Sequence, residues 1–287
     1  MELSQRQLKW VFLLPCVLFL LGLGLFPLIY SFGLMFTSFQ MGSPISFGGL
    51  QNFYTLVADS RFWITLVNTG IIVTGEIILE FTLGLGIALM LNREFRGRRF
   101  FRGVFLAPMM LCPTGVALIN MMLLHPYRGP LNYLLGLVGL PSAIDWRADP
   151  SIALYTIIGI QVWQWTPFMM AVLLAGLQAI PIEPSEAAMI DGASRWRILR
   201  HITLPLLSPV IIPALLIRAI DSFKVFDVIY VLTGGGPGIT TESSTLYTYV
   251  VALRYFNLGY ASAIAYFQVL VVGIVATFFI SRIRRKG

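Results

Sequence analysis

Long apolar runs separated by short polar loops constrain this chain more than any other feature. Residues 10–36, 62–91, 100–124, 151–180, 206–232 and 259–280 are each long and apolar enough to cross a membrane, since a hydrocarbon layer of about 30 Å takes about twenty helical residues. A bilayer offers the backbone no hydrogen-bond partner, so runs of this length must be helices. The expected fold class is an all-α membrane protein of six transmembrane helices, forming one transmembrane domain over residues 1–287. With 57% hydrophobic and 11% charged residues, a soluble domain is excluded.

Residues 1–9 form a short basic start. The run that follows is too long for a signal-peptide core and has no small-residue cleavage site after it, so it reads as an uncleaved first span, with kinks expected at Pro15 and Pro27. Residues 40–61 carry turn signals at Gly42, Pro44, Gly48 and Gly49 and read as an outer loop. Pro108 and Pro113 interrupt the third span, and residues 131–140 of the next outer loop suit a short interfacial helix. Residues 233–243, TGGGPGITTES, read as an outer turn, and the amphipathic stretch 246–258 as a segment along the outer surface.

In a soluble chain the charge of +7 would point to nucleic acid, but its placement here points to a membrane face. Arg6, Lys9, the five arginines of residues 92–102, Arg195, Arg197, Arg200 and the cluster Arg282, Arg284, Arg285 and Lys286 fall on one side of a six-span topology. Only Arg61, Arg128, Arg147 and Arg254 fall on the other. The positive-inside rule then places both termini in the cytoplasm. Cys16 and Cys112 lie in apolar runs and read as packing residues, and neither they nor His125 and His201 have metal-ligand spacing. No phosphate-binding loop is present: the glycines at 234–236 lack the following lysine.

One polar block, Glu186 to Pro205 (EAAMIDGASRWRILRHITLP), sits between the fourth and fifth spans. It starts with Glu186-Ala187-Ala188, has Gly192 after three further residues, and ends nine residues later in Ile202-Thr203-Leu204-Pro205. Ser185 is placed to cap a first helix, and Glu186 to complement the positive end of its dipole. The two alanines permit close approach of another surface, and Gly192 permits a turn. Pro205 suits the start of the next span.

This spacing resembles the EAA loop of the permease subunits of binding-protein-dependent ABC importers, with every fixed position matched. The resemblance implies a type I ABC importer permease fold in the bacterial inner membrane. Residues 181–205 would be a coupling loop, with Glu186, Ala187, Ala188, Asp191 and Gly192 docking on a cytoplasmic ATPase. It also implies the partners: a second permease, two ATPase subunits and an extracytoplasmic solute-binding protein. ATP and Mg would belong to the ATPase, leaving this chain a transport subunit with no cofactor of its own.

Polar residues inside spans must face a cavity or a partner, so they mark candidate pathway positions. Glu76 and Glu80 share a face of the second span, where they read as a proton relay or, more commonly, a structural pair against another helix. Gln161, Gln164, Trp165 and Phe168 in the fourth span, and Arg218, Asp221, Ser222 and Val225 in the fifth, each fall at i, i+3, i+4 and i+7. An aromatic face beside hydrogen-bonding groups suits a sugar. The alternative is interhelical packing, with Arg218 paired to Asp221 and Lys224 to Asp227.

The segment DSFKVFDVIYVLTGGGPG together with TLYTYVVALRYFNLGYASA resembles the maltose-type branch of these permeases. In that branch the sugar contacts correspond to Trp165, Phe168, Arg218, Asp221, Ser222 and Val225. Arg218 and Asp221 depart from the uncharged residues of maltose permeases, and the extra N-terminal spans of some maltose subunits are absent. A sugar or polyol is the expected substrate, with an anionic substrate such as glycerol phosphate as the rival within the class. An ion-coupled secondary transporter, using Glu76 and Glu80, is the rival outside it.

Overall fold

The structure, a computed structural model, describes residues 5–284. Among them the regular structure is helical, apart from isolated bridges between Thr37 and Phe47 and between Gln40 and Asn257. The helices are α1 (Lys9–Leu34), α2 (Gln51–Ala58), α3 (Ser60–Leu91), α4 (Arg98–Leu106), α5 (Pro113–Leu123), α6 (Pro130–Leu137) and α7 (Ala153–Ala179). They continue as α8 (Glu183–Ile190), α9 (Arg195–Ile198), α10 (Leu204–Phe223), α11 (Asp227–Leu232), α12 (Ser244–Tyr249) and α13 (Leu258–Arg284).

Five stretches are long and apolar enough to cross a membrane: α1, α3, α7, Arg195–Leu232 and α13 up to Arg282. A sixth exists only if Arg98–Met110 and α5 are counted as one span, and that pair is bent by 97°. The span expected over 100–124, interrupted at Pro108 and Pro113, is here two helices that meet at this bend. Pro113 disfavours helical backbone at the residue before it, and Cys112 is accordingly extended (ψ 143°). The span expected over 206–232 falls within Arg195–Leu232, and inside it α10 ends at Phe223 and a break at 224–226 precedes α11.

Pro27 and Pro205 do not interrupt their helices. Each follows a widened π turn, Leu21–Leu25 and Leu199–Thr203, which makes room for a ring that would otherwise crowd the preceding turn. Pro205 thus lies within a continuous helical path from α9 into α10.

The chain divides into two compact units, residues 5–62 with 247–270 and residues 63–246 with 271–284. In the second, α3, α7 and α10 pack around Ala88, Leu91, Met169, Leu173, Leu207 and Ala214. Lipid is as apolar as leucine, so contact between membrane helices depends on close packing through small residues. Gly84 lets α3 approach α7 so closely that a Cβ there would lie 2.9 Å from Met169, and one at Gly176 would lie 2.6 Å from Leu207 of α10.

The expected outer turn at 233–243 is not a simple exposed loop, because Thr241, Ser243 and the adjoining Ser244 are buried. Asn68 of α3 donates to the carbonyls of Ile239 (3.0 Å) and Glu242 (3.2 Å), and Thr69 Oγ1 accepts from the Ser244 N–H at 2.9 Å. These side chains supply partners that a loop in water would not need. In residues 246–258, Leu246, Tyr247, Val250 and Val251 are buried, whereas Leu253, Tyr255 and Phe256 are exposed, so the stretch is packed at its start and open further on.

In the first unit the apolar core of α1 has no buried residue. The unit is organised by Asp59, between α2 and α3. Its Oδ1 accepts from the backbone N–H groups of Arg61 (3.0 Å) and Phe62 (3.2 Å), capping α3. Its Oδ2 accepts from the hydroxyls of Tyr247 (2.6 Å) on α12 and Tyr260 (2.5 Å) on α13. Arg61 donates to the Tyr255 hydroxyl at 3.1 Å and lies 5.1 Å from the Tyr247 ring centre.

Burial works to raise the Asp59 pKa, but the hydrogen bonds from Tyr247, Tyr260, Phe62 and Arg61 outweigh it and hold the carboxyl below its ordinary value. A depressed carboxyl stabilises the fold fully above its unfolded pKa of about 4 and loses that contribution as pH falls through the folded value. Asp59→Ala is expected to cost about 1–3 kcal/mol, and Asp59→Asn less because it keeps the cap. Thermal melts of the solubilised protein at neutral and acidic pH check this, and Asp59→Asn should lose part of the acid sensitivity.

Candidate functional site

The EAA block forms a helix, a turn and a second helix. Helix α8 starts at Glu183, with Pro184 in its first turn and Glu183 and Glu186 both there to complement the dipole. Ser185 is therefore inside the helix and does not cap it, and no side chain does. At the other end the Gly192 N–H bonds the Met189 carbonyl (3.1 Å) and the Ala193 N–H bonds the Ala188 carbonyl (2.9 Å). Those two bonds are the Schellman pattern, which needs a left-handed residue just past the helix, and Gly192 has φ +79°. The Ser194 hydroxyl then caps α9, accepting from the Arg197 N–H at 3.4 Å.

Glu186, Ala187, Asp191 and Gly192 are exposed and Ala188 is half-buried. Around them stand apolar residues that sequence reasoning missed: Ile182, Met189, Ile190 (87% exposed) and Trp196 (69% exposed). Their signal was large apolar side chains within an otherwise polar block. Exposed apolar clusters of this kind are typical of surfaces that meet a protein partner or a membrane.

The polar residues of the spans meet in a second place. Arg218 of α10, 2% exposed, donates to both carboxylate oxygens of Glu80 at 2.7 Å, from Nε and Nη2. Its Nη2 also reaches Ser222 Oγ (3.3 Å) and lies 3.6 Å from Glu76. The Ser222 hydroxyl donates to Glu76. Beneath the guanidinium lies the Trp165 ring of α7, with 4.8 Å between Cζ and the ring centre. Helices α3, α7 and α10 thus converge on one arginine. Glu76 and Glu80 form the structural pair against another helix, and the expected local pairing of Arg218 with Asp221 is corrected.

Lys224 pairs with Asp221 at 2.9 Å, not with Asp227, and both partners are open, at 65% and 44% exposure. On α7, Gln161 and Gln164 are buried, and Trp165 and Phe168 half-buried. Gln164 Nε2 donates to the Leu111 carbonyl at 3.1 Å, which the break between α4 and α5 leaves free. The Oε1 atoms of Gln161 and Gln164 are buried with no hydrogen-bond partner. Val225 lies in the break after α10 with its side chain buried. The expected fifth-span face therefore splits: Arg218 and Ser222 are held inside the helix packing, and Asp221 faces outward.

Fold and site together define a polytopic helical transport subunit with an exposed helix–turn–helix between two of its long apolar helices. The chain belongs to the binding-protein-dependent transport system inner membrane component family, which it matches over residues 80–286. It is 38% identical to the trehalose/maltose transport system permease protein MalF of Thermococcus litoralis, over 90% of this chain and 86% of that one. Identity to the sulfoquinovosyl glycerol transport system permease protein SmoG of Agrobacterium fabrum is 34%, over 100% and 93%. A crystal structure of a bacterial alginate ABC transporter in complex with a periplasmic protein holding an alginate pentasaccharide contains a chain of the same fold. It superposes with a TM-score of 0.84 at 24% identity, over 97% of this chain and 94% of that one.

Leaving one partner of a buried ion pair uncompensated costs about 3–5 kcal/mol. Arg218→Ala and Glu80→Ala are each expected to show a loss of that order in thermal melts of the purified protein, and Arg218→Met/Glu80→Met to recover part of it. A double-mutant cycle measures the coupling. Were Arg218 free to serve a ligand, the single variants would alter transport without this loss.

Proposed function

We propose that the chain is one of two permeases in a type I ABC importer that carries a sugar or polyol across the inner membrane. The exposed EAA turn, framed by unpartnered apolar residues, is the observation that carries the reading. Two ATPase subunits, holding ATP and Mg, would bind this turn from the cytoplasm, and a solute-binding protein would deliver substrate on the other side. The termini would lie in the cytoplasm. This orientation is supported by Gln178, at the end of α7 that leads to the EAA turn, whose side-chain amide, turned so that its oxygen faces them, accepts from Arg98 and Arg102. The arginine-rich segment and the turn therefore share one end of the bundle, as the positive-inside rule requires.

A sugar is favoured by the relatives named for trehalose and maltose and by the charge of the open patch on the fifth span. Arg218 is already matched by carboxylates, which leaves Asp221, Lys224 and Asp227 exposed. One base against two acids does not invite an anion. Charged groups exposed on a membrane helix belong against a partner or a watery path, so Asp221 and Lys224 are assigned to the substrate pathway. Trp165, Phe168, Gln161 and Gln164 are buried or half-buried on α7 and would come into use when the helices move. ATP-driven closure of the ATPases would push on α8, and ligand and nucleotide would shift the balance of two states.

Glu186→Ala and Gly192→Val are expected to lower ATP-driven uptake about tenfold or more in proteoliposomes holding the assembled importer, within the usual range of coupling energies. ATP hydrolysis would continue and assembly would be partly retained. Normal coupled uptake in both variants would remove the assignment. Neutral sugars should compete with the transported solute and sugar phosphates should not.

A further inference from the structure

Arg98 and Arg102 stand one turn apart on α4; with the Gln178 amide turned so that its oxygen faces them, the orientation that satisfies both sides, their Nη2 atoms lie 2.5 and 2.6 Å from that one neutral acceptor. The Nε of each is buried and has no hydrogen-bond partner. No carboxylate pairs with either arginine among the described residues. Two close guanidinium groups with unmade bonds on buried donors are chemically suited to an anion.

The same helix face continues into apolar surface. Arg98, Arg102, Phe105 and Pro108 follow at steps of four, three and three residues. Phe105 and Pro108 line a groove of about 520 Å³, with Leu83 and Ile87 of α3 and Trp163 and Pro167 of α7 forming other walls. The α7 residues in its wall run from Gly159 to Met170, about 16 Å at 1.5 Å per residue. That matches half of a 30 Å hydrocarbon layer, the depth reached by one lipid chain.

We propose that α3, α4 and α7 form a binding site for an anionic phospholipid, with its phosphate between Arg98 and Arg102 and an acyl chain in the groove. The lipid belongs to the leaflet on the side of the EAA turn, which the reading above places toward the cytoplasm. A phosphodiester supplies two oxygens to the two forks, and the groove supplies the apolar wall that a free phosphate would not use. Occupied, the site would tie the arginine-rich segment to the end of α7 from which the coupling turn emerges.

The test uses the importer purified in mild detergent with whatever subunits accompany this chain. Native mass spectrometry should find phosphatidylglycerol or cardiolipin retained, and phosphatidylcholine not. Arg98→Gln/Arg102→Gln should lower retention at least about tenfold, as expected when two charged contacts are lost. A phosphatidylglycerol with a photoreactive acyl chain should label peptides containing Phe105 or Trp163. Gly159→Phe should reduce that labelling, since a side chain there meets nothing within 4 Å and would grow into the groove.

Unchanged retention and labelling in these variants would overturn the proposal, as would equal labelling by phosphatidylcholine. Displacement of the lipid by millimolar inorganic phosphate would assign the site to free phosphate. Loss of an ATPase subunit without loss of lipid from Arg98→Gln/Arg102→Gln would assign it to a protein carboxylate. Because lipid retention is read independently of uptake, failure of the sugar reading would leave this result standing.

Discussion

A buried arginine in a membrane helix must be matched or it cannot be there, and the second unit is built around one such match. Arg218 is held by both oxygens of Glu80 and is close to Glu76 and Ser222, with Trp165 against its face. The interaction joins α3, α7 and α10, the helices that also share the apolar cluster of Met169, Leu173 and Leu207. Apolar packing alone gives membrane helices little directional preference, whereas a bidentate ion pair sets rotation and depth for both partners. With Gly84 and Gly176 permitting close approach, the three helices form the frame from which the EAA turn projects.

The turn itself is defined by backbone geometry. Two Schellman bonds and a left-handed glycine stop α8, and the Ser194 cap restarts the helix as α9. From there a π turn carries the path through Pro205 into α10 without a break. The helical path from α9 to the helix that carries Arg218 and Asp221 is therefore continuous, and α8 stands before it across the turn, with Ile190 and Trp196 exposed on either side.

The long apolar helices and the turn at Gly192 were readable because their signals are local. Hydropathy marks a membrane helix and the EAA spacing marks the turn, both within a few tens of residues. The sites of failure were long-range or depended on a backbone detail. Arg218 finds Glu80 at a separation of 138 positions, and local spacing suggested Asp221 instead. The bend between α4 and α5 was signalled by Pro113, but its 97° angle was not. Residues 233–243 looked like an outer loop because glycine and threonine are common in turns. Their burial comes from partners on α3, Asn68 and Thr69, that no nearby residue announces. Ser185 failed as a cap for a smaller reason, since Glu183 and Pro184 start the helix sooner.

The central claim is that this chain moves its substrate with energy supplied by another protein through the EAA turn. Affinity purification from the native membrane, with identification of the accompanying chains and an uptake assay on the reconstituted material, tests it most directly. A second permease and an ATPase should be recovered, and uptake in liposomes should require ATP. Recovery of the chain alone, active under an ion gradient without ATP, would contradict the account.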